Sequence, residues 1–217
     1  MDNGGFLAPL PPYTLDRNYG ACSFDRKHNF SLNLVYDLPF KGHRLTEGWQ
    51  IANIFGFHTG LPFTVVCGFD CLGLNEQNSA NWVNVNSGTK LDSVVQQGNL
   101  LHYFNTSTFS LQPLGTLGNE VRNSFYGPSL ANDDLALVKN TRIRESMSLQ
   151  IRAEAFNLFN HPNFSNPNTG LYTGYSVQSG NVVPSVNPNA GRITGTISAA
   201  GGLPSSRQLQ FAMRFTF

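Results

Sequence analysis

Lys27–Leu38, KHNFSLNLVYDL, is the stretch whose reading decides the fold. Phe30, Leu32, Leu34, Tyr36 and Leu38 fall at every second position. Lys27, Asn29, Ser31, Asn33 and Asp37 take the positions between, and only Val35 departs from the pattern. Successive side chains of a strand point to opposite faces, so the stretch reads as a strand with one apolar and one polar face. Its length is the informative feature. Strands of globular proteins mostly run about five or six residues. A tilted strand that crosses a membrane needs roughly 9–11, and alternation from Lys27 to Leu38, broken only at Val35, fits the second kind.

The same period recurs downstream. In the segment near 48–58, Trp49, Ile51, Phe55 and Phe57 face one way and Gln50, Ala52, Gly56 and His58 the other, with Asn53 and Ile54 interrupting. A weaker strand is expected over 132–142, with Leu135 and Leu137 on one side. Ser146–Phe159, SMSLQIRAEAFNLF, sets Met147, Leu149, Ile151, Ala153 and Ala155 against Ser148, Gln150, Arg152 and Glu154. Leu149, Ala153 and Phe156 would also suit a helix, but the two-residue period is unbroken and favours a strand. The chain ends on 206–217, SRQLQFAMRFTF. There Leu209, Phe211, Met213, Phe215 and Phe217 alternate with Gln208, Gln210, Arg214 and Thr216, and small Ala212 sits among the latter.

The connections between these segments run short, long, short, long. PFKGHR (Pro39–Arg44) reads as a turn and Arg144-Glu145 as a short link. Gly60 to about Leu130 and His161 to about Ser205 are rich in Asn, Gly, Ser and Pro. Both read as loops, the first with short strands inside it at most. So long a loop is suspect in a compact soluble domain, but it is ordinary on the outer face of a bacterial barrel, whose periplasmic turns are short. With PFKGHR periplasmic, the last strand descends to a periplasmic C-terminus. The residues before Lys27 then belong to a further outer loop. Trp49, Tyr36, Phe40, Phe215 and Phe217 gather near one interface, as an aromatic girdle would.

Composition agrees. Charged residues make up 12%, about half the usual share. The chain holds 24 Asn, 21 Gly and 17 Phe, a mixture suited to strands and loops. A net charge of +1 leaves no basic stripe for nucleic acid. No apolar run is long enough to cross a membrane as a helix, so a membrane protein of this sequence has to be a closed barrel. MDNGG at the N-terminus has neither the basic nor the apolar region of a signal peptide, so the chain reads as having lost its beginning, with no plug domain.

Chemistry is sparse. His28, His43, His58, His102 and His161 are scattered, and no HExxH, GxSxG, P-loop or GxGxxG occurs, so no enzyme activity, cofactor or metal is expected. Arg152 and Glu154 share the polar face of their strand and read as a structural charge pair of a barrel interior. Of the cysteines, Cys22, Cys67 and Cys71, the last two lie close together in VVCGFDCLG. A local disulfide and two unpaired loop thiols both remain open.

Four segments are similar to pieces of large TonB-dependent receptors of the Oar-like, acidobacterial type. They are GWQIANIFGFHTGLPFTV (Gly48–Val65), GNEVRNSFYGPSLANDDLALVKNTRI (Gly118–Ile143), RAEAFNLFNHPNFSNPN (Arg152–Asn168) and the terminal RQLQFAMRFTF (Arg207–Phe217). The resemblance implies a barrel of about 22 strands with a plug, importing or sensing a bulky ligand through the TonB system. It also implies that the last strand, with Phe215 and Phe217, is the signal read by the outer-membrane barrel-assembly machinery.

The expectation is therefore an all-β antiparallel meander. It forms the last five or so strands of a transmembrane outer-membrane β-barrel, with long extracellular loops, and the whole of 1–217 belongs to it. Leu32, Leu34, Leu149, Ile151, Leu209 and Phe211 should face lipid. The partners would be membrane lipid, the remaining barrel and plug, the assembly machinery and, through the parent protein, TonB. Two alternatives stand beside this. One is a soluble extracellular β-sandwich binding module, which would turn its apolar faces inward between two sheets. The other is a passive or adhesive surface barrel.

Overall fold

The computed structural model describes residues 19–73, 81–197 and 205–217. Among them the strands, in chain order, are β1 (Asn29–Asp37), β2 (Trp49–His58), β3 (Pro62–Phe63), β4 (Asn84–Val85), β5 (Phe109–Ser110), β6 (Phe125–Tyr126), β7 (Leu130–Arg144), β8 (Met147–Phe156), β9 (Tyr172–Gln178), β10 (Asn181–Val186) and β11 (Gln208–Thr216). The chain divides into two compact units. One comprises His28–Thr59, Ser129–Phe164 and Thr196–Phe217, and the other Met1–Lys27, Gly60–Pro128 and Ser165–Gly195. The expected outer loop before Lys27 falls, over 1–18, outside the described residues, as does 198–204 of the loop expected to reach Ser205.

The first unit is a single five-stranded sheet in the order β1-β2-β7-β8-β11. All its pairings are antiparallel. Among the described residues β1 pairs only with β2 and β11 only with β8, so the sheet has two open edges and does not close into a barrel.

β7 is longer than its alternation indicates, at 15 residues. The polar run Asn132-Asp133-Asp134 hides its beginning, because these side chains are fixed by specific partners instead of by a two-face pattern. Asn132 Nδ2 donates to Asp134 Oδ1 (2.8 Å). Asp134 Oδ1 also accepts the Asn157 backbone N–H (2.8 Å), and the Asp133 carbonyl accepts the Leu158 N–H (2.7 Å). These bonds fasten the chain where it leaves β8. Asn157 has φ 50° there, a left-handed conformation that Asn tolerates better than most residues. β8 accordingly stops at Phe156, short of Phe159.

The β1–β2 connection is also longer than the expected PFKGHR turn and runs from Leu38 to Gly48. Lys139, on β7, holds it. Its ammonium donates to the carbonyls of Arg44 (2.7 Å) and Glu47 and lies 5.8 Å from the centre of the Trp49 ring. Trp49 Nε1 in turn donates to the Leu45 carbonyl (2.9 Å). Lys139 is thus 7% exposed although it lies in an otherwise apolar row. Its stem covers apolar surface while its charge reaches polar backbone at the sheet's end. Lys139→Met should leave these carbonyls to water and cost about 1–3 kcal/mol. Trypsin should then cut after Lys41 and Arg44 markedly faster than in the parent chain; unchanged cleavage would mean that Lys139 does not hold the connection.

The second unit holds short strands within Gly60–Leu130, as expected, and corrects the expectation that His161–Ser205 is loop. Two-residue ladders pair β3 with β6 and β4 with β5, and β9 and β10 form a hairpin. The hairpin turns through Ser179 and Gly180, both at positive φ (50° and 80°), as a two-residue turn between twisted strands requires. A packed aromatic core replaces long regular structure. Phe63 lies 5.9 Å from Phe104 and 5.8 Å from Phe125, and Phe109 meets both edge-on at 5.9 Å. Trp82, Val65, Val83 and Val94 are wholly buried. The segment 82–85 is tied to neighbours through β5 and through Gly118 N–H to Trp82 O (3.2 Å) and Glu120 N–H to Val83 O (3.1 Å). A Cβ on Gly118 would collide with the Trp82 and Val83 carbonyls, so this approach requires glycine.

Candidate functional site

The register of the five-stranded sheet brings the apolar alternations onto one face. Partners directly opposite in an antiparallel pair point to the same side. One row reads Tyr36, Ile51, Leu137, Ala153 and Phe211, and the next Leu34, Asn53, Leu135, Ala155 and Leu209. Leu32 joins the same face opposite Phe55, Ile151 lies between Lys139 and Met213, and Leu149 between Thr141 and Phe215. All six residues expected to face lipid, Leu32, Leu34, Leu149, Ile151, Leu209 and Phe211, therefore share one face. Leu32, Leu34, Ile151, Leu209 and Phe211 are exposed on it, and Leu149 is half-buried. Among the described residues these side chains are left uncovered by a second sheet, which is the opposite of the inward-turned apolar faces a sandwich needs.

The other face is mostly polar, interrupted by exposed Val35 and Ile54 and by buried Ala136 and Val138 of β7. Asn29, Ser31, Asn33 and Asp37 on β1 continue through Gln50 on β2, Gln150, Arg152 and Glu154 on β8 and Gln208, Gln210 and Arg214 on β11. Arg152 and Glu154 pair with each other at 2.8 Å. Gln50 Nε2 donates to Asp37 (2.8 Å) and Gln150 Nε2 to Asn140 (2.8 Å).

Sequence reasoning missed three polar residues on the apolar face. Asn53 breaks the β2 alternation because its side chain donates to the Asp133 carboxylate and to the Asp134 carbonyl (3.2 Å). Asp133 and Lys139 hide inside the weak β7 pattern. A polar residue out of phase on each of two strands was the available signal, but only the register shows that Asn53 and Asp133 meet.

Tyr36, Trp49, Phe215 and Phe217 lie at one end of the sheet, toward the β1–β2 and β7–β8 connections, with Phe215 and Phe217 in mutual ring contact at 6.1 Å. Phe40 is exposed in the β1–β2 connection itself.

In the second unit Cys67 and Cys71, both buried, are joined as a disulfide, while Cys22 is free and exposed. So short a loop restricts the unfolded chain little, and Cys71→Ser should cost about 2 kcal/mol. Non-reducing mass spectrometry should find the 67–71 peptide two hydrogens lighter than its reduced form; free alkylation of both thiols in the folded chain would sink the pairing.

Glu120 is the chemically unusual residue of this unit. It is 1% exposed, and among the described residues no side chain pairs with its carboxyl group. Burial pushes its pKa up to about 8, against the lowering influence of the Val65 backbone amide. Gln112 is equally buried, with both polar atoms unpartnered, and Trp82 Nε1 is likewise unpartnered. Among the described residues no group of three or more His, Cys, Asp or Glu could hold a metal ion, and no helix is long and apolar enough to cross a membrane.

A long-stranded antiparallel sheet with one exposed apolar face and one polar face is the architecture of a wall between lipid and a wet interior. A family model described as "Outer membrane beta barrel domain" matches residues 2–210, and the chain belongs to that family. No curated protein and no solved structure matches it.

Proposed function

We propose that the chain is the C-terminal wall segment of an outer-membrane receptor or transporter of the TonB-dependent, Oar-like type. The observation that carries its membrane role is the register. It sets five alternating strands in phase, so that Leu32, Leu34, Leu149, Ile151, Leu209 and Phe211 present one apolar surface to lipid. The polar face, with Arg152 and Glu154, lines the interior. The short connections lie in the periplasm with the C-terminus, and the second unit is made of the long extracellular loops. Phe215 and Phe217 serve as the signal for the barrel-assembly machinery. The open edges of β1 and β11 are completed by the remaining barrel strands, because an exposed edge is a template for further pairing. The receptor type rests on the four similar segments and goes beyond the family as matched. A passive or adhesive barrel remains the second reading, since the same wall serves it.

Single cysteines on a Cys-free background test the wall. At Leu34 and Leu209 a membrane-embedded sheet shields the thiol from a charged maleimide and exposes a probe there to quenching by brominated lipid. At Ser31 and Gln210, on the other face, lipid quenching should be weak. Equal lipid quenching on both faces would reject the reading. Growth assays that depend on TonB, with and without the intact parent gene, separate a receptor from a passive barrel.

A further inference from the structure

The β9–β10 hairpin of the second unit has one closed edge and one open edge. With Ser179 and Gly180 both at positive φ, Gln178 and Asn181 flank a two-residue turn as a hydrogen-bonded pair. Hydrogen-bonded and non-hydrogen-bonded pairs then alternate down the ladder. Ser176–Val183 is of the first kind, and Val177–Val182 and Tyr175–Pro184 are of the second, with their backbone groups turned outward. On β10 the outward position at 184 is a proline, which has no N–H to offer, so that edge is closed. On β9 the outward N–H and C=O groups belong to Tyr175 and Val177, and among the described residues no backbone group pairs with them. Among the described residues this edge is covered at its start, where Tyr172 N–H donates to Cys67 O (2.8 Å). Tyr175 and Val177 are 47% and 64% exposed and share a face with Val182 and Pro184. No Asp, Glu, Lys or Arg occurs between Pro162 and Gly191, so no charge guards the edge against pairing.

We propose that β9 of one chain pairs antiparallel with β9 of a second copy, about a two-fold axis that passes beside Ser176. Tyr175 then stands opposite Val177 of the second copy, and Val177 opposite its Tyr175, each pair exchanging N–H···O bonds. An aromatic residue against a β-branched one is a favourable cross-strand pair. The Phe69 ring, 5.7 Å from that of Tyr175, packs this tyrosine in place. Two observations select a second copy as the occupant. The strand is uncharged and so suits an uncharged partner, and its outward groups fall into register with themselves. Pro184 closes the far edge of each hairpin, so the four-stranded sheet β10-β9-β9-β10 ends at two copies instead of growing into a fibre. The inference goes beyond the barrel reading and does not depend on it, since only the second unit takes part.

The test is cysteine cross-linking of the full chain in detergent micelles, on a Cys22→Ser background that keeps the buried Cys67–Cys71 disulfide. Ser176→Cys places one thiol from each copy beside the axis, in a non-hydrogen-bonded pair with Cα atoms about 4.5 Å apart, within disulfide reach. Ser185→Cys is also exposed but lies on β10, on the far side of β9 from the axis. Mild oxidation should give a covalent dimer on non-reducing gels about tenfold faster from the first variant than from the second, whose paired thiols lie beyond disulfide reach. Val177→Lys should slow cross-linking at 176 about tenfold through loss of both Tyr–Val pairs. Adding Tyr175→Glu should restore it, because each new carboxylate then faces the new ammonium of the other copy. A misfolded hairpin cannot give that rescue. Equal rates at 176 and 185, as chance collision or another occupant of the edge would give, overturn the proposal. So does a rate at 176 that Val177→Lys leaves unchanged, or a lysine effect that Tyr175→Glu fails to reverse.

Discussion

Phe211→Arg in lipid vesicles is expected to destabilise the sheet by about 2–4 kcal/mol, the cost of an arginine near the midplane on the lipid face of a barrel. Phe211 lies near the middle of β11, opposite Ala153, and is 77% exposed. Gln210→Arg, one residue away, is expected to cost almost nothing. Its side chain points to the polar face, directly opposite Glu154, where an added guanidinium finds a carboxylate. Denaturant unfolding of the two variants in the same vesicles gives the comparison. The sign carries the argument. If the sheet faced water, replacing an exposed phenylalanine by arginine would be neutral or favourable, because exposed apolar surface costs free energy and exposed charge does not. Phe211→Arg at or below the cost of Gln210→Arg would therefore remove the membrane role and keep the fold.

What was legible in the chain follows from this contrast between faces. The alternation of KHNFSLNLVYDL and SRQLQFAMRFTF is visible because one face meets a single kind of environment along the whole strand. β7 is hard to read because Asp133 and Asp134 answer to individual partners at neighbouring strands, Asn132 to Asp134 on its own strand, and Lys139 to carbonyls of a connection remote in sequence. The second unit was harder still. Its regular ladders, apart from the hairpin, are two residues long, too short to show any period. Its core is assembled from aromatics scattered along the chain at Phe63, Phe104, Phe109 and Phe125, the last three standing close to the Asn, Gly, Ser and Thr that make a stretch look like loop. Only the Ser179-Gly180 turn of the β9–β10 hairpin left a recognisable local signal.

The buried carboxyl of Glu120 is the clearest case of a property that composition could not reveal, and it leads to the second large effect. Its backbone is fixed because Glu120 N–H is bonded to Val83 O and the adjoining Gly118 lies against the Trp82 and Val83 carbonyls. The side chain is therefore held in the interior instead of turning out to water. Its pKa is about 8 in the folded chain against an ordinary value of 4.5. Below about pH 4.5 both folded and unfolded chains hold the proton, and the group has no effect on stability. Between about 4.5 and 8 the unfolded chain releases it while the folded chain keeps it. The second unit should then lose up to about 1.4 kcal/mol per pH unit as pH rises, a loss that levels off above pH 8. At pH 7 the accumulated penalty is on the order of 3 kcal/mol. Glu120→Gln removes the titration and nearly preserves the shape. It should raise the stability of the second unit by roughly that amount at pH 7 and flatten the pH dependence, with no gain at pH 4.5. Trp82, buried in this unit, reports its unfolding once Trp49→Phe has silenced the other tryptophan. A parent chain with equal stability at pH 5 and pH 8 would mean that Glu120 reaches water and that the packing around Val65 and Val83 is open.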